Sequence, residues 1–232
     1  MDNVEALINF GLTRQEASIY LLLFSEGELN GYEVSKLTGI SRSNAYNALA
    51  SLVEKGAAYA IEENTKKYIP VDIEEFCNNK LRFLNSKKKI LIDNIPKRNE
   101  EVSGYITIKG EDHIIDKFKN MILEAKERLY LSVSRDRIKD VYEELVIARD
   151  KKIKIVIITE EHFCFPDAKI YYKEKKSEDI RLIVDSKHVL TGKITDKHNS
   201  TCLYSSNSNL VDIFKEALTN EIKLIQLEEK ER

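Results

Sequence analysis

The chain has 232 residues, enough to bury one large hydrophobic core or two smaller ones. Hydrophobic residues make up 42% and charged residues 33%, with a formal net charge of −2, a composition that describes a soluble globular protein. No run approaches the roughly 20 apolar residues of a membrane span. The opening MDNVEALINF has neither a basic region nor a long apolar stretch, so it does not read as a signal peptide. Cys77, Cys164 and Cys202 are odd in number and far apart, which excludes a disulfide framework and any Cys-x-x-Cys metal spacing. These features predict a cytoplasmic protein with no membrane partner.

In chain order, the first strong signal is GLTRQEASIYLLLF, where Thr13 and Glu16 have the spacing of a capping box. Ala17, Tyr20, Leu21 and Phe24 then share one face of a helix. The next stretch, GYEVSKLTGISRSNAYNALASLVEKG, reads as two short helices joined by a tight turn at Gly39. Val34 and Leu37 give the first an apolar side. Ser41 can cap the second, in which Ala45, Leu49 and Leu52 recur at helical spacing toward a core. That phase leaves Arg42, Ser43, Asn44 and Asn47 outward, with Tyr46 at the edge. Short polar donors on the first turns of a second helix suit base edges and phosphates, so the segment predicts a helix-turn-helix that binds double-stranded DNA. Arg42, Asn44 and Asn47 are the candidates for base edges, and Ser41 and Ser43 for phosphate.

Gly56 ends that helix. Tyr59 to Ile61 and Lys67 to Val71 then read as strands around the turn Glu62-Glu63-Asn64-Thr65, a β-hairpin wing in which Lys66 and Lys67 could touch a phosphate backbone. Charge supports DNA less than the motif does. Residues 1–71 hold six Lys+Arg against nine Asp+Glu, although residues 41–53 contain Arg42 and no acid. A shallow salt dependence follows.

Residues 72–98 read as one long helix stopped by Pro96. Cys77, Leu81, Leu84, Leu91 and Ile95 form a heptad seam that Lys88 interrupts. Such a helix either pairs with its twin in a homodimer or packs on the chain's own C-terminal part. The dimer is the expectation, since a winged helix reads one half-site.

From Gly104 strands and helices alternate. Strands are expected at 105–108, 128–133, 153–159, 180–185, 188–193 and 201–204, with helices at 111–126, 136–150 and 210–227. The run 153–159 reads as a continuous apolar strand apart from Lys154 and the terminal Thr159, as in a sheet buried on both faces. The expected fold class is therefore α+β: a winged helix-turn-helix at 1–71, a linker and dimerisation helix at 72–98, and an α/β domain at 99–232. Strand ends near 132–135, 159–165 and 191–192 could line a pocket for a small effector, with 160–168 as a mobile loop above it.

This order of elements resembles the TrmB-like family of archaeal and bacterial transcriptional regulators. GLTRQEASIYLLLF, SRSNAYNALASLVEKG with a wing ending YIPVD, and the block from MILEAKERLYLSV to IARDKKIKIVII carry the likeness. The resemblance implies a C-terminal domain similar to the phospholipase D fold, with RLIVDSKHVLTGK matching the strand pair after the enzyme's catalytic His and Lys. If Asp185 takes the place of the motif's carboxylate, Glu178 and Ile180 stand where His and Lys are required, and no other His begins the motif. Phosphodiester chemistry is therefore not expected, and no catalytic residue is assigned. Asp112 and His113 suit a helix start. Glu160, Glu161, His162 and Cys164 are too few and too closely spaced for a metal site, and no Gly-rich loop points to a cofactor. Longer relatives carry an added sugar-binding module that this sequence is expected to lack. The rival readings are a winged helix that docks proteins and an enzyme acting on phosphodiesters.

Overall fold

The computed structural model describes residues 2–62, 65–96, 104–174, 179–195 and 199–231. The wing-tip residues Glu63 and Asn64, the linker end 97–98, and Glu178 and His198 lie outside them. The chain forms two compact units, residues 1–98 and 99–232.

In the first unit, α1 (Asn3–Asn9) precedes α2 (Arg14–Glu26), which opens on the expected Thr13–Glu16 capping box. β1 (Leu29–Asn30) leads into α3 (Gly31–Thr38), and Gly39 turns the chain at φ 75°. Ser41 then caps α4 (Arg42–Glu54). β2 (Ala58–Ile61) and β3 (Lys67–Pro70) pair as an antiparallel hairpin, and β1 adds to the other edge of β3, giving the order β1-β3-β2. This is a winged helix.

Its core joins Ala17, Tyr20 and Leu23 to Val34, Ala45, Leu49 and Leu52. One sequence expectation fails here. Leu37 points to solvent, 54% exposed, because one turn of the short α3 is enough to bury Val34. Phe24 is 45% exposed and packs edge-on to Tyr20 at the mouth of an apolar groove of about 420 Å³ between α1, α2 and the start of α5. That helix, α5 (Ile73–Asn94), ends where Ile95 turns extended ahead of Pro96. Phe76 buries itself in the first core, whereas Leu81, Leu84, Leu91 and Ile95 are all exposed.

The second unit is a seven-stranded sheet between two helical layers. Its elements are β4 (Tyr105–Lys109), α6 (Glu111–Glu124), β5 (Arg128–Ser132), α7 (Arg135–Asp140), α8 (Tyr142–Asp150), β6 (Lys154–Thr159), β7 (Ala168–Tyr172), β8 (Asp179–Val184), β9 (His188–Lys193), β10 (Thr201–Ser205) and α9 (Ser208–Glu231). The strand order is β4-β10-β9-β8-β5-β6-β7, parallel only across β5, β6 and β7. Ile155 and Ile157 of β6 face a core shared with α6, α7 and α8, while Val156 and Ile158 face α9 through Val211, Leu218 and Ile225. Both faces of the central strands are covered, which is why Ile155 to Ile158 are apolar without interruption, while Lys154 at the start of β6 is exposed. The expected single helix at 136–150 is broken at Val141, whose φ of −124° is not helical and whose side chain is buried. Strand β7 was not expected. Its AKIYY run pairs with β6 after Asp167 turns the chain at φ 62°.

Candidate nucleic-acid interface

Three local interactions fix the helix-turn-helix. Asn30 Oδ1 accepts from the Tyr32 and Glu33 N–H groups, and the Glu33 carboxylate returns to Asn30 N–H at 2.8 Å, so α3 begins on a second capping box. Ser35 and Thr38 hydroxyls donate to the Ile40 and Val34 carbonyls and hold the turn. Ser41 Oγ accepts from Asn44 N–H at 3.3 Å. Beneath α4, Ala45, Leu49 and Leu52 are fully buried, and Ser41, Arg42, Ser43, Asn44, Tyr46 and Asn47 are all exposed above them.

Arg42 lies over the Tyr32 ring, its guanidinium carbon 4.6 Å from the centroid. Stacking of this kind holds the planar fork in one orientation while leaving its N–H edge free to donate. Among the described residues no carboxylate lies within ion-pair reach of it. Tyr46 closes over Gly31: a Cβ there would stand 2.5 Å from the ring, so the ring holds this position only against glycine. Tyr32 is the residue that sequence reasoning missed. Nothing local in the sequence ties it to Arg42.

The wing lysines differ from each other. Lys66 is exposed, 4.0 Å from Glu62 and 5.9 Å from the Tyr68 ring centre. Lys67 is half-buried and bound to Glu28 at 2.5 Å, because pairing of Asn30 with Lys67 in the β1–β3 ladder brings residue 28 to it. The wing is linked to α5 by Tyr59, whose hydroxyl donates to Glu75 at 3.0 Å; that bond raises the phenol pKa.

Helix α4 is anchored at its far end by Glu16. Its carboxylate is 6% exposed, accepts Thr13 N–H at 2.7 Å and pairs with Lys55 at 2.6 Å. Burial pushes its pKa up, but the bonds from Lys55, Thr13 and Ser51 outweigh burial and leave it below the ordinary carboxylate value. Tyr20 is fully buried and donates to the Val71 carbonyl at 2.8 Å; burial raises its pKa.

In the second unit, Ile180 is buried in the core beneath the sheet. Asp185 occupies a tight β8–β9 turn in which it and Ser186 both have positive φ, 51° and 54°. Its carboxylate accepts the backbone N–H groups of Lys126, Glu127 and Arg128 at 2.8–2.9 Å. Burial opposes ionisation, but those three donors hold its pKa below the usual value. It fastens the α6–β5 connection. The expected mobile loop is anchored, since Phe165 is 4% exposed and meets Tyr142 edge-on at 5.6 Å. Of the three segments expected to form a pocket, two do so. Arg135, Ile138, Lys139, Tyr142, Phe163 and Cys164 line a crevice of about 430 Å³. Gly192 does not join it, because it lies in the β9–β10 ladder, where a Cβ would be 2.3 Å from the Thr201 carbonyl. Among the described residues no three His, Cys, Asp or Glu side chains stand close enough to hold a metal ion, and no helix is long and apolar enough to cross a membrane.

Residues 7–74 match the family described as sugar-specific transcriptional regulator TrmB. Residues 104–220, just over half the chain, match the N-terminal subdomain of the TrmB effector-binding domain. The chain belongs to the TrmB family. As a TrmB-family member it is a DNA-binding transcriptional regulator. It is 27% identical to the uncharacterised YrhO of Bacillus subtilis over 99% of this chain and 87% of that one. It is 24% identical to TrmBL1 of Pyrococcus furiosus, a sugar-sensing transcriptional regulator, over 67% of this chain and 47% of TrmBL1. Among solved structures, TrmBL2, an archaeal chromatin protein, superposes with a TM-score of 0.47 at 20% identity, covering 94% of this chain and 96% of TrmBL2. Nuc from Salmonella typhimurium, a phospholipase D family member, gives 0.39 at 16% identity over 50% of this chain and 93% of Nuc.

Proposed function

We propose that this TrmB-family chain works in the cytoplasm as a homodimer that reads DNA through α4 and answers to a small effector at its second unit. The observation that carries the reading is the α4 surface: one cation and three short polar side chains stand exposed on a helix whose other face is fully buried. Ser41 and Ser43 would meet phosphates, Arg42 a guanine edge, Asn44 and Asn47 base edges or backbone, and Lys66 a phosphate from the wing. Tyr46 would contact the duplex only with its hydroxyl edge, since its ring packs on Gly31. Lys67 is the weakest candidate, being occupied by Glu28.

Pairing through α5 is supported by its exposed heptad residues and by the apolar groove where the helix begins. The Tyr59–Glu75 bond offers a mechanical route from α5 to the wing. An effector shifts DNA affinity only by its differential affinity for two dimer arrangements. Phospholipase-type hydrolysis has no support in the site. Ile180, a buried core residue, stands where the phosphate-gripping Lys is required, and Asp185 is committed to backbone N–H groups.

A gel shift with the chain's own upstream region tests the reading. Arg42→Ala with Asn47→Ala should abolish the specific shift without loss of fold. An unchanged shift from that double variant would move the recognition surface elsewhere and leave protein docking as the better account of the winged helix.

A further inference from the structure

We infer that the crevice over α7 binds a small organic anion, an oxyanion carried on an aromatic or branched apolar body. The inference rests on reading the second unit as the effector-responsive half of the regulator. Adjacent parallel strands β5 and β6 end side by side, one running into α7 and the other into the 160–167 segment that returns as β7. Both segments lie on the same face of the sheet, where Ile138 of α7 packs into one core with Phe163 and Phe165, and a crevice opens between them. Here it holds about 430 Å³, the size of a small-molecule site.

The lining has two characters. Arg135 and Lys139 are one helical turn apart, so both cations project to the same side of α7. Ile138, Tyr142 and Phe163 supply apolar surface, and that surface is fixed in place. Phe163 rests against Phe165 at 6.4 Å, and the buried Phe165 against Tyr142 at 5.6 Å. No acid is among the described residues that line the crevice. Arg135 is held by Glu161 and Lys139 by Asp136, each at 3.0 Å, but both pairs are widely exposed and contribute little. A ligand carboxylate or phosphate that replaces Glu161 on the Arg135 fork loses nothing buried, while its apolar body covers Tyr142 and Phe163.

Cys164 on the wall gives a local reporter. It is exposed, whereas Cys202 is buried with its thiol pushed up to about 12 and Cys77 is half-buried with its thiol also raised by burial. Neutral iodoacetamide near pH 7 should therefore modify Cys164 first.

The test uses the full chain and no DNA, so its outcome is independent of the gel shift. The probe is 1-anilinonaphthalene-8-sulfonate, compared with its neutral analogue N-phenyl-1-naphthylamine and with inorganic phosphate. The sulfonate should bind with enhanced fluorescence and slow Cys164 alkylation roughly tenfold at saturation, the neutral analogue at least roughly tenfold more weakly. Phosphate at equal concentration should not displace it. Arg135→Ala with Lys139→Ala, both exposed, should weaken it by about the same factor with an unchanged circular dichroism spectrum. Equal binding of the neutral analogue removes the anion from the proposal, and displacement by phosphate removes the apolar body. Unprotected Cys164 in the wild-type chain places the probe elsewhere and overturns the site.

Discussion

Glutamine in place of Glu16 isolates one charge inside the winged helix. Gln retains an oxygen for Thr13 N–H, so the capping box survives while the anion facing Lys55 disappears. Hydrogen bonds to charged groups contribute about 1.5–3 kcal/mol against about 1 for neutral ones. The Lys55 side chain is 32% exposed, so water partly replaces its lost partner. Glu16→Gln should then cost about 1–1.5 kcal/mol, and Glu16→Ala, which also removes the cap, about 2–3. For a unit of this size the first corresponds to a fall in Tm of roughly 5–10 °C. Calorimetry of the full chain reads it as movement of one transition, since the two units need not unfold together. The pH dependence fixes the cause. The folded carboxyl is depressed, so its contribution is complete above the unfolded value of about 4.3 and disappears as pH falls through the lower folded value. The gap between wild type and Glu16→Gln should be constant from pH 7 to about 5 and close below about 4. A gap under about 0.5 kcal/mol at pH 7, or one that persists unchanged at pH 3, would refute the reasoning.

Four further outcomes are expected. Gly192→Ala drives a Cβ into the backbone of β10, which cannot swing away as a side chain can, and should cost roughly 3 kcal/mol or more of the second unit's stability in urea unfolding. Asp185→Ala strips acceptors from three backbone N–H groups and should cost about 2–3 kcal/mol at pH 7, with the penalty shrinking in acid because the folded carboxyl is depressed. Tyr32→Leu should blunt base preference at the position Arg42 reads, seen by selection from a random duplex pool, while Tyr32→Phe should not; equal profiles would make the stack incidental. Lys66→Ala should reduce the salt slope of DNA binding by about 1 per subunit and Lys67→Ala by much less.

Much of this architecture was legible in the chain. The Thr13–Glu16 box, the Ala45/Leu49/Leu52 stripe, the hairpin wing and the apolar β6 run follow from local chemistry repeated at helical or strand period. What escaped has physical reasons. Helix α1 has seven residues and β1 only two, too short for periodicity to register. Strand β7 follows a loop whose aromatics suggested mobility, because burial of Phe165 depends on α8 contacts distant in sequence. Val141 breaks α7 from α8 without a Gly or Pro to announce it. On α4, the helical phase revealed which side chains point outward, but not their partners. Lys67 meets Glu28 across 39 residues, and Arg42 meets Tyr32 across the turn, only once β1 and α3 are in place.

The ion pair between Lys67 and Glu28 bears on how the regulator behaves among the roughly 10⁶–10⁹ irrelevant sites of a chromosome. A wing on which Lys67 already faces its own glutamate, leaving Lys66 as the exposed cation, would grip arbitrary duplex less strongly, so fewer molecules would be sequestered on the wrong sequence. On the proposed reading, discrimination would then rest on a few side chains of α4. In the proposed dimer, a modest change in the spacing of the two α4 helices would then be enough to release the operator, without first overcoming a strong hold on the backbone.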